Sequence, residues 1–422
     1  MTGFPDGFLW GASTAGHQVE GGNVGADLWP LEWAEHSGFT EPSGDACDHY
    51  HRYPEDIGLL AGLGYNAYRF SLEWARIEPE PGYFSRAALD HYRRMIGTCR
   101  ELGITPVVTY NHFTTPRWFA GRGGWGNEDA PELFARYAER VTAHLGDELS
   151  WVCTLNEPNV MAMMQLTGAV PMGTADGPRR RESAPIEATQ TEAPQAAAAA
   201  GVGGFDPSRY RIGLIGGNVE RMAAAHRLAF DCIKAGRGEA RVGWTLALVD
   251  LQAAEGGEAR CAEARQGGEL DWLAVSSDDD FVGVQTYSRQ WIGPDGTVPV
   301  PEGVPTMQTG WEVYPAALGH TVRLAAEHAR VPVLVTENGM ATDDDEARIA
   351  YSEAALHGLL GCLDDGIDVR GYLHWTLLDN FEWTAGFAKT FGLIEVDRET
   401  FERTVKPSAR WLGQVARANA LS

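Results

Sequence analysis

The chain has 422 residues, enough for one large single-core fold or for two to three ordinary domains. Its composition is that of a globular protein, 44% hydrophobic with 14 tryptophans, a count that suits stacking planar rings on flat apolar faces such as those of sugars. The formal net charge of −24 argues against nucleic acid or an anionic membrane as partner, because phosphates demand Lys and Arg, and it favours neutral ligands.

The N-terminal Met-Thr-Gly-Phe-Pro-Asp-Gly has no basic stretch followed by an apolar one, and no apolar run is long enough to cross a bilayer, so a cytoplasmic protein is expected. A first strand is predicted at Phe8-Leu-Trp-Gly-Ala-Ser-Thr, a helix over Pro54 to Leu63, and a second strand at Asn66 to Trp74. Helices then alternate with strands: a helix over Arg86 to Leu102, a strand at Thr105 to His112, a helix from Pro131 to Leu145, and a strand from Trp151. In the second half, strands are predicted at Val242 to Val249, Phe281 to Tyr287, Val331 to Gly339 and Gly371 to Leu378. Helices are predicted at Val219 to Ala235, Pro315 to Ala329, Asp344 to Asp364 and Pro407 to Ala418.

Eight apolar strands alternating with helices predict an α/β fold, a single (β/α)8 barrel over residues 1–422, with a doubly wound open sheet as the alternative. The first strand is not followed by the glycine fingerprint of a dinucleotide site, which counts against the open sheet. A minimal barrel needs about 250 residues, so the surplus belongs in loops, mostly at one face. Pro171 to Pro207 reads as a low-complexity insertion, with Arg179-Arg-Arg and the run Ala196 to Ala200. It follows the strand that begins at Trp151, and is expected on the face of the strand C-termini as a cover or a floppy excursion.

Two strand ends stand out. Trp151 to Pro158 reads Trp-Val-Cys-Thr-Leu-Asn-Glu-Pro: the proline removes a backbone donor and stops the strand, leaving Asn156 and Glu157 at its rim. Val331 to Gly339 reads Val-Pro-Val-Leu-Val-Thr-Glu-Asn-Gly and ends in Glu337, ahead of a glycine suited to a tight turn. Either glutamate alone reads as a solvated rim residue, but together, at the C-terminal ends of barrel strands, they form a candidate catalytic pair. The six cysteines (Cys47, Cys99, Cys153, Cys232, Cys261 and Cys362) lack zinc-ligand spacing and read as reduced structural thiols. The acidic runs at Asp278 to Asp280 and Asp343 to Glu346 lack the spacing of a calcium loop and read as solvated turns, so no metal site is expected.

With these strand ends in place, the chain resembles glycoside hydrolase family 1, the retaining β-glucosidases and β-galactosidases, nearly end to end. The likeness rests on Phe8-Leu-Trp-Gly-Ala-Ser-Thr-Ala-Gly-His-Gln-Val-Glu-Gly, Tyr68-Arg-Phe-Ser-Leu-Glu-Trp-Ala-Arg-Ile, Thr154-Leu-Asn-Glu-Pro, Gly310-Trp-Glu-Val-Tyr-Pro, Val335-Thr-Glu-Asn-Gly and Trp375-Thr-Leu-Leu-Asp-Asn-Phe-Glu-Trp. The resemblance implies an exo-acting retaining β-glycosidase without metal or organic cofactor, with Glu157 as acid/base and Glu337 as nucleophile. It implies that Arg69 holds Glu337 ionised, that Tyr287 hydrogen-bonds it, and that Asn156 contacts the sugar 2-hydroxyl. Gln18, His112, Glu382 and Trp383 fall on hydroxyl-binding positions, Trp375 on a stacking floor, and Trp311 on the aglycone side. A carboxylate at Glu382 implies an unphosphorylated glycone. Three departures stand out: Phe113 where the family has Trp, Gln285-Thr286-Tyr287 where it has Asn-Tyr-Tyr, and a short segment between the fifth and sixth strands. A transglycosidase using the same intermediate, a silent sugar-binding barrel and a metallohydrolase are the alternatives. The last lacks a His-x-His pair on the first strand.

Overall fold

Eight short, largely apolar segments form one closed ring of parallel strands: β1 (Leu9–Ser13), β2 (Ala67–Ser71), β3 (Thr105–Asn111), β4 (Trp151–Asn156), β5 (Arg241–Ala247), β6 (Val282–Gln285), β7 (Val333–Asn338) and β8 (Val369–Trp375). The computed structural model describes residues 3–34, 37–168 and 218–421, so the predicted insertion at 171–207 lies outside the described residues. Strands neighbour one another in chain order, and β8 closes the ring against β1. The (β/α)8 expectation holds, and closure leaves no unpaired edge of the kind an open sheet would have.

The outer layer comprises α1 (His49–Leu63), α2 (Arg86–Glu101), α3 (Ala130–Leu145), α4 (Val219–Lys234), α5 (Asp271–Val275), α6 (Ala317–Ala329), α7 (Asp345–Asp364) and α8 (Pro407–Ala418). Most begin or end within two residues of the predicted positions. α1 starts five residues earlier than Pro54, which sits inside the helix and forfeits one backbone bond there. The buried hydrogen bond between His49 Nδ1 and Asp56 Oδ2, 2.7 Å long, spans two turns and holds that early start.

Inward and outward side chains divide the core. Leu9, Ala67, Val107, Trp151, Cys153, Phe281, Leu334 and Leu373 form an apolar plug within the ring. Outward residues such as Trp10, Tyr68, Val108, Val152, Trp244 and Val335 pack into the layer shared with the helices. Nearer the strand C-termini the inward positions become polar yet stay buried: Arg69, Thr109, Asn156, Thr245, Gln285 and Glu337.

Two strands break the alternation. Between Cys153 and Asn156, β4 uses three residues where β5 uses two from Gly243 to Thr245. Thr154 and Leu155 therefore both leave the barrel interior, Thr154 to bond His226 and Leu155 to join the outer core, and Asn156 turns inward. On β7 the step from Val335 to Glu337 faces the single step from Val284 to Gln285. Strict period-two alternation would send Glu337 outward with Val335; the extra residue turns it in. Gly339, predicted to serve a tight turn, is not in the left-handed region. A Cβ there would lie 2.1 Å from the Trp375 carbonyl oxygen, so glycine is required for close approach to β8.

Candidate active site

Glu337 projects from the end of β7 into a ring of donors. Arg69 Nη1 on β2 donates to its Oε1 at 2.6 Å, and Gln285 Nε2 on β6 donates to the same oxygen at 2.5 Å. Tyr287 donates its hydroxyl to Oε2 at 2.5 Å. Burial raises the Glu337 pKa, while Arg69 and Tyr287 pull it down. Arg69 and Tyr287 together favour the ionised form, and they only partly offset burial.

The polar ring fixes its own proton positions. Arg69 can only donate, and its Nη2 lies 2.5 Å from Asn156, which must present Oδ1. The same oxygen accepts from Thr245 Oγ1 at 3.1 Å and from Gln285 Nε2 at 2.9 Å. Asn156 Nδ2 therefore faces His112 Nε2 at 3.1 Å, which must accept, placing the imidazole proton on Nδ1. Burial and then Arg69 depress the His112 pKa well below its ordinary value, consistent with a neutral ring. Asn156 thus retains one N–H of its amide nitrogen for a ligand.

Glu157 follows β4 directly, its backbone N–H donating to the Thr245 carbonyl at 2.8 Å. Its φ is 45°, in the left-handed region, a conformation that costs a non-glycine residue about 1–3 kcal/mol. Pro158 was expected to end the strand; the backbone turns further than that and leaves the extended region altogether. Among the described residues no hydrogen bond reaches the Glu157 carboxyl. Burial, then the charge of Glu337, raises its pKa well above the ordinary value, with a smaller push from Glu382. The two strand-end carboxyls thus share one electrostatic environment with opposite supports: Glu337 is ringed by donors, and Glu157 has none.

Around them stand the remaining predicted residues. Gln18, in the short helix Gly16–Val19 after β1, donates Nε2 to the Phe381 carbonyl at 2.8 Å, and its Oε1 is buried without a partner among the described residues. Glu382 lies 3.4 Å from that nitrogen, and burial with the charge of Glu337 pushes its pKa up to about 8. It is therefore largely protonated at neutral pH, which weakens the expected charge repulsion of a phosphate. His112 stacks between Trp375 and Trp383, with ring centroids 5.8 and 6.0 Å away. Trp375 is buried, and its peptide with Thr376 is cis. Phe113, at φ 65°, packs edge-on against Trp383 at 5.3 Å. Trp311 packs on Tyr287 with centroids 5.5 Å apart. All eleven predicted residues thus gather at the C-terminal end of the barrel.

Sequence reading missed three members of this set. Gln285, noted only as a departure from the family pattern, bridges Glu337 to Asn156. Thr245 and Thr109 brace Asn156 and Arg69, the latter through an Arg69 Nε to Thr109 Oγ1 bond of 3.0 Å. Their inward parity on β3 and β5 was the available signal. The acidic runs are not simply solvated turns. Asp279 is buried against His226 and Arg227, Asp344 caps α7 through the Glu346 and Ala347 N–H groups, and Asp345 pairs with Arg348. Among the described residues no group of three or more His, Cys, Asp or Glu is placed to hold a metal ion. All six cysteines are free, Cys153 lies in the apolar plug as expected, and no described helix is long and apolar enough to cross a membrane.

Comparison with known proteins gives the same picture. The chain is 36% identical to thermostable beta-glucosidase B of Thermobispora bispora, over 99% of this chain and 91% of that protein. A crystal structure of a beta-glycosidase superposes with TM-score 0.90 at 52% identity, covering 99% of this chain and 98% of the other. The beta-glucosidase of Thermotoga maritima in complex with glucoimidazole superposes with TM-score 0.82 at 28% identity over the whole of both chains. The sequence model of glycosyl hydrolase family 1 matches residues 1–197 and 273–421, and the chain belongs to that family.

Proposed function

We propose that the chain is a retaining exo-β-glycosidase that removes a terminal non-reducing β-D-glucosyl residue, or a related galactosyl or fucosyl residue, with an unphosphorylated glycone. The observation that carries this reading is the unequal support of the two carboxyls. Glu337 is surrounded by Arg69, Gln285 and Tyr287, whereas the Glu157 carboxyl, its pKa raised by burial and by the charge of Glu337, receives no hydrogen bond among the described residues. Carboxyls driven apart in this way take the roles of base and acid.

In the first step a Glu337 oxygen attacks the anomeric carbon while the bond to the aglycone oxygen breaks. Glu157 gives that oxygen its proton, so the aglycone leaves as an alcohol and Glu337 becomes a glycosyl ester. The negative charge beside Glu157 is then gone, and its pKa falls. Glu157, now a carboxylate, takes a proton from water as the water oxygen attacks the anomeric carbon and Glu337 departs ionised. Two inversions give net retention, and this route needs the carboxyls about 5 to 5.5 Å apart. Asn156, through its remaining amide N–H, meets the sugar 2-hydroxyl, and Gln18, His112, Glu382 and Trp383 bind the other hydroxyls above the Trp375 floor. Among the described residues the polar ring around Glu337 offers a phosphate one cation, Arg69, which is already engaged by Glu337 and Asn156. On the aglycone side, Trp311, Val313, Met307 and Met340 form an apolar cluster, which favours a second outcome: transfer of the sugar to an alcohol acceptor.

Replacing Glu337 by Gly and assaying an aryl β-glucoside with and without azide tests the assignment. Loss of turnover, with recovery as an α-glucosyl azide, is expected; unchanged activity would overturn it.

A further inference from the structure

Among the described residues the Glu157 carboxyl has no hydrogen bond of its own, so its position depends on the backbone beneath it. Glu157 N–H donates to the Thr245 carbonyl, and the Val160 N–H donates back to the Glu157 carbonyl at 3.1 Å. Two residues on lies Asn159, fully buried, whose side chain joins three segments. Its Nδ2 donates to the Ala247 carbonyl on β5 at 2.7 Å and to the Gly268 carbonyl at 2.9 Å, and its Oδ1 accepts from the Ala247 N–H at 3.0 Å. Both amide hydrogens and the oxygen are therefore used, and the Glu157-Pro158-Asn159 corner is sewn to the end of β5.

Gly268 belongs to a single π-helical turn, Gln266–Leu270, closed by the Asp271 N–H donating to the Gln266 carbonyl. Such turns are rare and recur at functional sites. This one meets the helix Val160–Thr167, which continues from the Glu157 corner: a Cβ at Gly268 would lie 3.3 Å from Met163 Cα. The next residue, Glu269, is fully buried and accepts from the Val249 N–H through Oε1 at 2.8 Å, fastening the turn to the chain just beyond β5. The whole turn lies within 198–272, the stretch that the family model does not match.

We propose that Asn159 is a positioning residue for the acid/base Glu157, with the π-helical turn Gln266–Leu270 as its anchor. The proposal rests on the acid/base reading of Glu157. Asn159 touches no reacting atom. It sets where the Glu157 carboxyl stands, through a backbone already held at an unfavourable φ, and a displacement of about 1 Å at such a group can cost about 100-fold in rate.

Asn159→Asp keeps the acceptor for Ala247 but loses both donations and opposes a carboxylate to two carbonyls; Asn159→Ala removes the clamp without that repulsion. Both are compared with Glu157→Gly and wild type, after thermal melts have confirmed folding. The expected result is a loss in kcat/KM of about 10- to 100-fold on methyl β-glucoside, whose leaving group needs a proton, and under about 3-fold on 2,4-dinitrophenyl β-glucoside, whose leaving group does not. Azide, which needs no general base, restores kcat on the dinitrophenyl substrate and yields the β-glucosyl azide. Equal losses on the two substrates, or no loss on either, overturn the positioning role if Glu157→Gly shows the split. If Glu157→Gly itself lacks the split, the acid/base assignment falls and takes this proposal with it.

Discussion

Replacing Tyr287 by Phe removes one hydroxyl and leaves the ring packed on Trp311 and Phe391, whose centroids lie 5.5 and 5.8 Å away. What is lost is the 2.5 Å bond to Glu337 Oε2, one of the groups that pull the Glu337 pKa down against burial. A hydrogen bond to a charged group is worth about 1.5–3 kcal/mol, which is about one to two pH units in the pKa of the acceptor. The sign follows from the charge: the bond stabilises the carboxylate, so losing it raises the Glu337 pKa. Glu337 must be ionised to attack, so the acidic limb of the kcat/KM profile moves to higher pH by about one to two units, with the pair titrating as a coupled system. The assay is kcat/KM for an aryl β-glucoside from pH 4 to 9 in wild type and Tyr287→Phe. An acidic limb that stays in place, or moves to lower pH, would refute the claim that Tyr287 sets the charge state of the nucleophile.

Three further outcomes follow from the same geometry. Wild type should turn over an aryl β-glucoside with kcat/KM at least about 100-fold above that for the 6-phosphoglucoside, since among the described residues the ring around Glu337 pairs a phosphate with no free cation; comparable values refute the glycone assignment. Glu269 is buried with its pKa pushed up from 4.5 to about 8, so its protonated form stabilises the fold fully below pH 4.5, and that contribution fades as pH rises through 8. Glu269→Gln stays neutral, so its melting temperature should gain on that of wild type between pH 5 and 8.5, and a constant difference counts against the linkage. Asp56 is buried against His49 and Arg403, which hold its pKa low in spite of burial, so its contribution is present at neutral pH and lost as pH falls through its folded pKa. Asp56→Ala leaves the buried Arg403 guanidinium without its carboxylate and should cost about 3–5 kcal/mol in denaturant unfolding at pH 7.

The barrel was legible because short, largely apolar runs alternate along the chain with stretches at helical spacing. Pro54 misled because proline reads as a helix start, whereas the His49–Asp56 bond lies inside the helix and only tertiary packing reveals it. Asp279 reads as solvated because nothing local to an Asp run announces a partner 53 residues upstream, His226. Asn156, Glu157 and Glu337 were singled out by the strand-end pattern itself, and the other eight candidates rested on the motif resemblance. Gln285 stood out only as a departure from the family pattern, since parity gives a side chain's face and not its reach. The π-helical turn was invisible because Gln266-Gly-Gly reads as an ordinary loop, and no periodic signal marks a single i to i+5 ring.

The extra residue on β4 and on β7 bears on anyone who would transplant this chemistry. A designer copying Asn156 and Glu337 onto an ideal, uninterrupted eight-stranded scaffold would find both side chains buried in the helical jacket, on the wrong side of the wall. The portable unit is the irregular strand together with the neighbour whose spacing it violates, and moving the letters alone would carry over none of the reactivity.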